Sequence, residues 1–172
     1  KFDGLNGVAW TPDGKVLCVL KTGDDYNIWL MNRDGTERKQ LTADSSEKQL
    51  PKMSPDGRYI VFSSLHGESI NIWRMDADGS NQKQLTRGLF GDFCTGFTPD
   101  GQWVLFWFWT ESGLAMISKV SIEGGEPVQL TDYWTIFPTI SPDGKLIAAG
   151  YRDEQQGPHL AIISSLGGRP IK

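Results

Sequence analysis

The chain has 172 residues, with 17 Lys and Arg against 21 Asp and Glu, a net charge of -4 and 38% hydrophobic residues. The length suffices for one domain that buries about 70% of its unfolded surface. The even charge lacks the basic excess of a nucleic-acid binder, and no apolar run reaches the roughly 18 residues of a membrane-spanning helix. Lys1 is not a natural start, so the missing signal segment says little about compartment.

Taken in order, the chain opens on a short strand, Val8 to Trp10, that runs into Thr11-Pro12-Asp13-Gly14. This is turn chemistry: proline pre-sets φ, Asp bonds back to the backbone, and Gly takes the left-handed conformation. A near-continuous apolar run follows (Lys15 to Leu20), then Asn27-Ile28-Trp29, the hairpin Asp34-Gly35, and a polar segment ending in Gln40-Leu41-Thr42. The same order returns as Ser54-Pro55-Asp56-Gly57, Arg58 to Ser63, Asn71-Ile72-Trp73, Asp78-Gly79 and Gln84-Leu85-Thr86. A third copy carries Thr98-Pro99-Asp100-Gly101, Gln102 to Trp107, Ile117-Ser118, Gly124-Gly125 and Gln129-Leu130-Thr131. A fourth carries Ser141-Pro142-Asp143-Gly144, Lys145 to Gly150, Leu160-Ala161 and Gly167-Gly168, and stops at Lys172.

The turn prolines Pro12, Pro55, Pro99 and Pro142 are 43, 44 and 43 residues apart, the length of a four-stranded propeller blade. Apolar runs without alternation suit strands covered on both faces. The expected fold is all-β: a β-propeller of four-stranded antiparallel blades, four in one unit (1–43, 44–87, 88–131, 132–172), without helices. Aligned on the turns, Cys18 falls with Val61, Leu105 and Ala148 and reads as core, and Cys94 reads as a second buried thiol. No CxxC or Cys/His cluster speaks for a disulfide or a metal.

The segments Ser54 to Ser64 and Asn71 to Thr86, with Gly124 to Thr131, resemble the TolB-type WD-like propeller repeat over essentially the whole chain. The wording is most similar to propellers fused to bacterial Ser/Thr kinases or winged-helix regulators. The resemblance implies a sensor or interaction domain, commonly periplasmic or extracytoplasmic. Related repeats cap prolyl-oligopeptidase-type and tricorn-type proteases and gate access to them. Such propellers usually have six to eight blades. Four therefore leave two apolar blade faces to cover. The favoured closure is a homodimer, two chains head to tail in an eight-bladed ring; a tight four-bladed monomer and a fragment lacking blades are the alternatives.

Chemistry is sparse. There is no Gly-x-Ser-x-Gly elbow, P-loop or Rossmann fingerprint. His66 and His159, with Asp153 or Glu154, could be imagined as a metal site but read as loop histidines. Asp76 to Asn81 lacks the ligands of a calcium loop and reads as a hairpin, and Thr98 to Trp103 has the wrong spacing for a sialidase turn. No cofactor or metal is expected, and the chain is read as non-enzymatic. The turn residues Pro12, Asp13, Gly14, Pro55, Asp56, Gly57, Pro99, Asp100, Gly101, Pro142, Asp143 and Gly144 read as architecture. The opposite end of each blade varies between copies, and variable loops on a rigid scaffold read as a binding surface. There lie Tyr26, His66, Phe90, Phe93, Trp109, Tyr133, Trp134 and Tyr151, which would meet a protein, peptide or small ligand, or else pad neighbouring blades. The other readings are a gating propeller of a protease or hydrolase whose catalytic domain is absent, and a purely structural, self-assembling unit, natural or engineered.

Overall fold

The computed structural model describes residues 5–153 and 157–171. Fifteen strands and no helix appear among them, in four antiparallel sheets. Blade 1 holds β1 (Leu5–Trp10), β2 (Val16–Thr22), β3 (Asp25–Met31) and β4 (Lys39–Gln40). Blade 2 holds β5 (Glu47–Met53), β6 (Tyr59–His66), β7 (Ser69–Asp76) and β8 (Lys83–Gln84). Blade 3 holds β9 (Asp92–Phe97), β10 (Trp103–Trp109), β11 (Ala115–Ser121) and β12 (Val128–Gln129). Blade 4 holds β13 (Thr135–Ile140), β14 (Leu146–Asp153) and β15 (Gly157–Ser164). In blade 4 Ile171 N donates to Ile162 O at 2.7 Å, where Lys39 pairs with Leu30 in blade 1.

Each sequence marker has a bonding role. In the turns, Ser54, Thr98 and Ser141 donate their hydroxyls to Asp56, Asp100 and Asp143, and the same hydroxyls accept the backbone N–H of Tyr59, Trp103 and Leu146. The Gln-Leu-Thr marker ties the outer strand to its neighbour. Thr42, Thr86 and Thr131 Oγ1 accept the N–H of Ile28, Ile72 and Ile117 at 3.0, 2.9 and 3.0 Å, and each Gln amide folds back onto the Thr carbonyl.

The first turn departs from the others, and this corrects one alignment. Thr11 accepts from Lys15, four residues on, where the other hydroxyls accept from five residues on. Blade 1 is therefore one residue short before β2. The strand registers agree: Val16 pairs with Met31 as Ile60 pairs with Met75, Val104 with Val120 and Ile147 with Ile163. Cys18 thus corresponds to Phe62, Phe106 and Ala149, and not to Val61, Leu105 and Ala148. A slip of one residue sends a side chain to the other face of a strand. Cys18 is buried as expected, but on the side of blade 1 that points away from blade 2, beside Leu20, Met31 and Trp29. Cys94 is buried in the seam between blades 2 and 3, and burial pushes its thiol up to about 12.

Three apolar seams join consecutive blades. Leu17, Val19, Ile28 and Leu41 of blade 1 meet Ile60, Phe62 and Met75 of blade 2. Val61, Ile72 and Leu85 meet Val104, Phe106 and Val120. Leu105, Trp107, Ile117 and Leu130 meet Ile147, Ala149, Ala161 and Ile163. The ring is not closed: among the described strands, packing runs from blade 1 to 2 to 3 to 4, and β13 to β15 do not pack on β1 to β4.

Candidate functional site

The β2–β3, β6–β7, β10–β11 and β14–β15 hairpins share one end of the arc with the segments that enter each next blade, since alternate connections of an up-and-down sheet fall at the same end. This is the end where the sequence places its variable residues, and all but Phe90 fall into three groups. Tyr26 and His66 line a cleft of about 510 Å³ between blades 1 and 2, with Asp24, Ser45, Ser46, Glu47, Leu65 and Gly67. His66 stacks on Trp73 with ring centroids 4.4 Å apart. Phe93 and Trp109 belong to a second group centred on Trp107: Phe93 stacks on it at 4.4 Å, while Trp109 and Phe137 meet it edge-on at 5.7 and 5.5 Å. Phe137 is 67% exposed and holds φ +52° in the bulge of β13, a conformation that costs an L residue on the order of 1–2 kcal/mol. Phe90 is exposed on the segment entering blade 3.

Tyr133, Trp134 and Tyr151 form the third group and pack against the seam of blades 3 and 4. Tyr133 donates its hydroxyl to Gly168 O at 2.8 Å, meets Tyr151 edge-on, and lies under the Arg169 guanidinium. Burial raises the Tyr133 hydroxyl above its ordinary range. This tyrosine clamps the exit of blade 3 to the Gly167-Gly168 turn of blade 4. The eight aromatic and histidine positions are therefore not one continuous patch.

The histidines lie in different blades, His66 ending β6 and His159 within β15. Glu154 lies outside the described residues. Among those described, no group of three His, Cys, Asp or Glu is placed to hold a metal. Asp76 and Asp78 accept hydrogen bonds from Asn81 and Ser80 within their own turn.

Sequence reasoning passed over the residues that build the connections. Lys48, Asp92 and Thr135 occupy one repeat position, 44 and 43 residues apart, and are 1%, 3% and 0% exposed. The Lys48 ammonium bonds to the Asp44 carboxylate, Ser46 O at 2.7 Å and Ser46 Oγ at 3.0 Å. Burial pushes Asp44 up, but Lys48 and the Ser46 donors outweigh it and hold the carboxyl at about 2. Asp92 accepts from Asn71 Nδ2 and Gly88 N, both at 3.3 Å, and burial raises its carboxyl above the ordinary range. Thr135 shares a hydroxyl–hydroxyl bond of 2.6 Å with Thr131. The blade period alone could have aligned these positions; their bonding could not be read from it.

A family model described as the tricorn protease N-terminal beta propeller domain matches residues 15–159. The chain belongs to that family. Among solved structures, TolB from Acinetobacter baumannii superposes on this tricorn-type propeller with a TM-score of 0.84 at 26% identity, over 97% of this chain and 42% of that one. A protein assigned as TolB from Agrobacterium tumefaciens gives 0.79 at 23% identity, over 92% and 61%. A puromycin hydrolase gives 0.71 at 14% identity, over 99% of this chain and 30% of its own, a likeness of fold alone. The propeller thus spans less than two thirds of each of these proteins. No curated protein matches it. The blade resemblance read from the sequence is therefore that of the TolB and tricorn propellers.

Proposed function

We propose that this tricorn-type propeller is a non-catalytic binding or scaffold module. It would present its loop end to a protein, peptide or small ligand and complete its ring with a second copy. The observation that carries the reading is the contrast within each blade. One end repeats the same hydrogen-bonded turn, while the other displays unlike side chains on the same backbone, including Phe90, Trp109 and Phe137, at least 37% exposed. Exposed aromatics on a rigid frame are the raw material of interface centres. Panning a random-peptide phage library against the immobilised chain tests it. Selected peptides should bind at least about tenfold more weakly to Trp109→Ala and Phe90→Ala, with melting temperatures kept within about 2 °C. Peptides indifferent to both substitutions, or no selected peptide at all, would sink the reading.

The tricorn description favours a second reading, an accessory propeller that gates a hydrolase. A catalytic domain encoded next to these blades in the full-length gene would decide for it.

A further inference from the structure

We propose that the crevice between blades 1 and 2 at the turn end is a binding site for a guanidinium group. It lies at the opposite end of the blades from the loops described above, so it goes beyond that reading and stands or falls separately from it.

The neighbouring seam shows such a group in place. Between blades 2 and 3 the Arg74 side chain is 12% exposed. Its guanidinium lies 4.5 Å from the centre of the Tyr59 ring and donates across the seam to Ile122 O at 3.2 Å and to the Glu123 carboxylate at 3.3 Å. Between blades 1 and 2 the receiving side returns. Ala77 N donates to Arg58 O as Ile122 N donates to Gln102 O, so Ala77 holds the place of Ile122 and Asp78 that of Glu123. The filling side chain does not return. Leu30 pairs with Leu17 as Arg74 pairs with Val61, so a leucine, packed partly on the seam core, holds the place of the arginine. A crevice of about 370 Å³ is left, with Asp13, Lys15, Leu30, Met53, Asp56 and Ala77 in its walls. An apolar wall for the stem and a carbonyl followed by a carboxylate for the head are what an arginine side chain needs.

Charge singles out this crevice among the three. Between blades 3 and 4, Lys119 pairs with Leu105 and so holds the place of Arg74, lying 4.9 Å from the centre of the Trp103 ring. Leu166 stands there in the place of Glu123. That crevice has its own cation and lacks the carboxylate. The crevice of blades 1 and 2 has the reverse. The Thr11 and Ser54 hydroxyls hold the Asp13 and Asp56 carboxyls below the ordinary range, so both are charged at neutral pH. The cations nearby are turned to other partners. Lys15 pairs with Asp13 of its own turn at 3.4 Å. Arg58, bonded to Asp56, leans on the Tyr59 ring, which packs into the seam of blades 2 and 3. A planar, charged fork matches a carbonyl beside carboxylates better than an ammonium does.

The test is a titration of the nitrogen-15-labelled 172-residue chain with acetyl-Gly-Arg-Gly amide, followed by NMR in about 0.1 M salt. The amides of Leu30, Ala77 and Asp78 should shift saturably, with a Kd on the order of 1 mM. The same peptide with lysine or citrulline should bind at least about tenfold more weakly, because one lacks the fork and the other the charge. Agmatine binding as tightly as the peptide would make a small guanidinium compound the ligand; weaker agmatine would make it an arginine within a polypeptide, and both support the site. Leu30→Arg should fill the crevice from within, as Arg74 does, and abolish the shifts while the melting temperature stays within about 2 °C or rises. Asp78→Asn should weaken binding about threefold or more. Arg74→Leu should open the neighbouring crevice and add saturable shifts at Ile122 and Glu123, a readout that survives even if Leu30→Arg fails to fold. No saturable shift, equal affinity for the lysine or citrulline peptide, or shifts that persist in folded Leu30→Arg overturns the proposal.

Discussion

Lys48 and Asp92 stand at the same point of the same blade, both out of water, with opposite charge. Lys48 is enclosed by the acceptors of its own connection, Asp44 and Ser46, so its charge is matched. Asp92 has only neutral donors, Asn71 and the Gly88 amide among them, so its charge is held at a cost. The turn end of the blades differs from both: there Asp56, Asp100 and Asp143 make the same bonds each time. The difference teaches that the period fixes the backbone, while each buried connection solves its own electrostatics.

The largest expected effect would break the matched site. Asp44→Ala leaves the fully buried Lys48 ammonium without its carboxylate and should cost about 3 kcal/mol in denaturant unfolding at pH 7. Lys48→Met, which frees Asp44 to turn to water, should cost about 1 kcal/mol, because an apolar chain replaces a buried ion. Equal losses would mean the pair is not the source of stability.

Next comes a test of how far the repeat tolerates variation at the turn end. A Cβ on Gly79 would run into Leu41 O, at φ +97°, whereas one on Gly35 meets nothing nearer than Arg38 at 3.7 Å. Gly79→Ala should therefore destabilise by roughly 2 kcal/mol or more and Gly35→Ala by about 1 kcal/mol, read from chemical denaturation.

The unmatched site gives a smaller effect of opposite sign. Asp92 has its carboxyl raised by burial. The folded chain is favoured below the ordinary carboxylate range and loses that advantage as pH rises through the raised value. Asp92→Asn should then raise the melting temperature by a few degrees at pH 7 and flatten its fall above about pH 4. A lower melting temperature at pH 7 would show that the carboxylate is matched after all.

The smallest effect concerns the turns. The Ser54 hydroxyl and the Arg58 backbone hold Asp56 at about 2. Hydroxyl donors likewise lower Asp13, Asp100 and Asp143. Stability from these groups is present above the ordinary carboxylate pKa and lost as pH falls through the lowered ones, for Asp56 down to about pH 2. Ser54→Ala should make that acid loss shallower in a pH series of melting curves, by a small margin because these groups are solvent-exposed.

Much of the molecule was legible in advance because the chemistry of Ser/Thr-Pro-Asp-Gly and Gln-Leu-Thr is local. Each marker bonds within a few residues or to the adjacent strand, so its meaning travels with the sequence. Four blades, their strand order and the buried thiols followed from that. What tertiary structure decided is whatever depends on facing. The one-residue shortening before β2 turned Cys18 to the opposite face, and turn alignment hides such a slip. Tyr133 became a clamp because Gly168 of the next blade came within reach of its hydroxyl. Trp10 and Leu160 became exposed because no described blade stands beside them. The period carries the backbone of a blade; only packing says which side of it meets a neighbour, because that depends on side-chain direction and on which blade comes next.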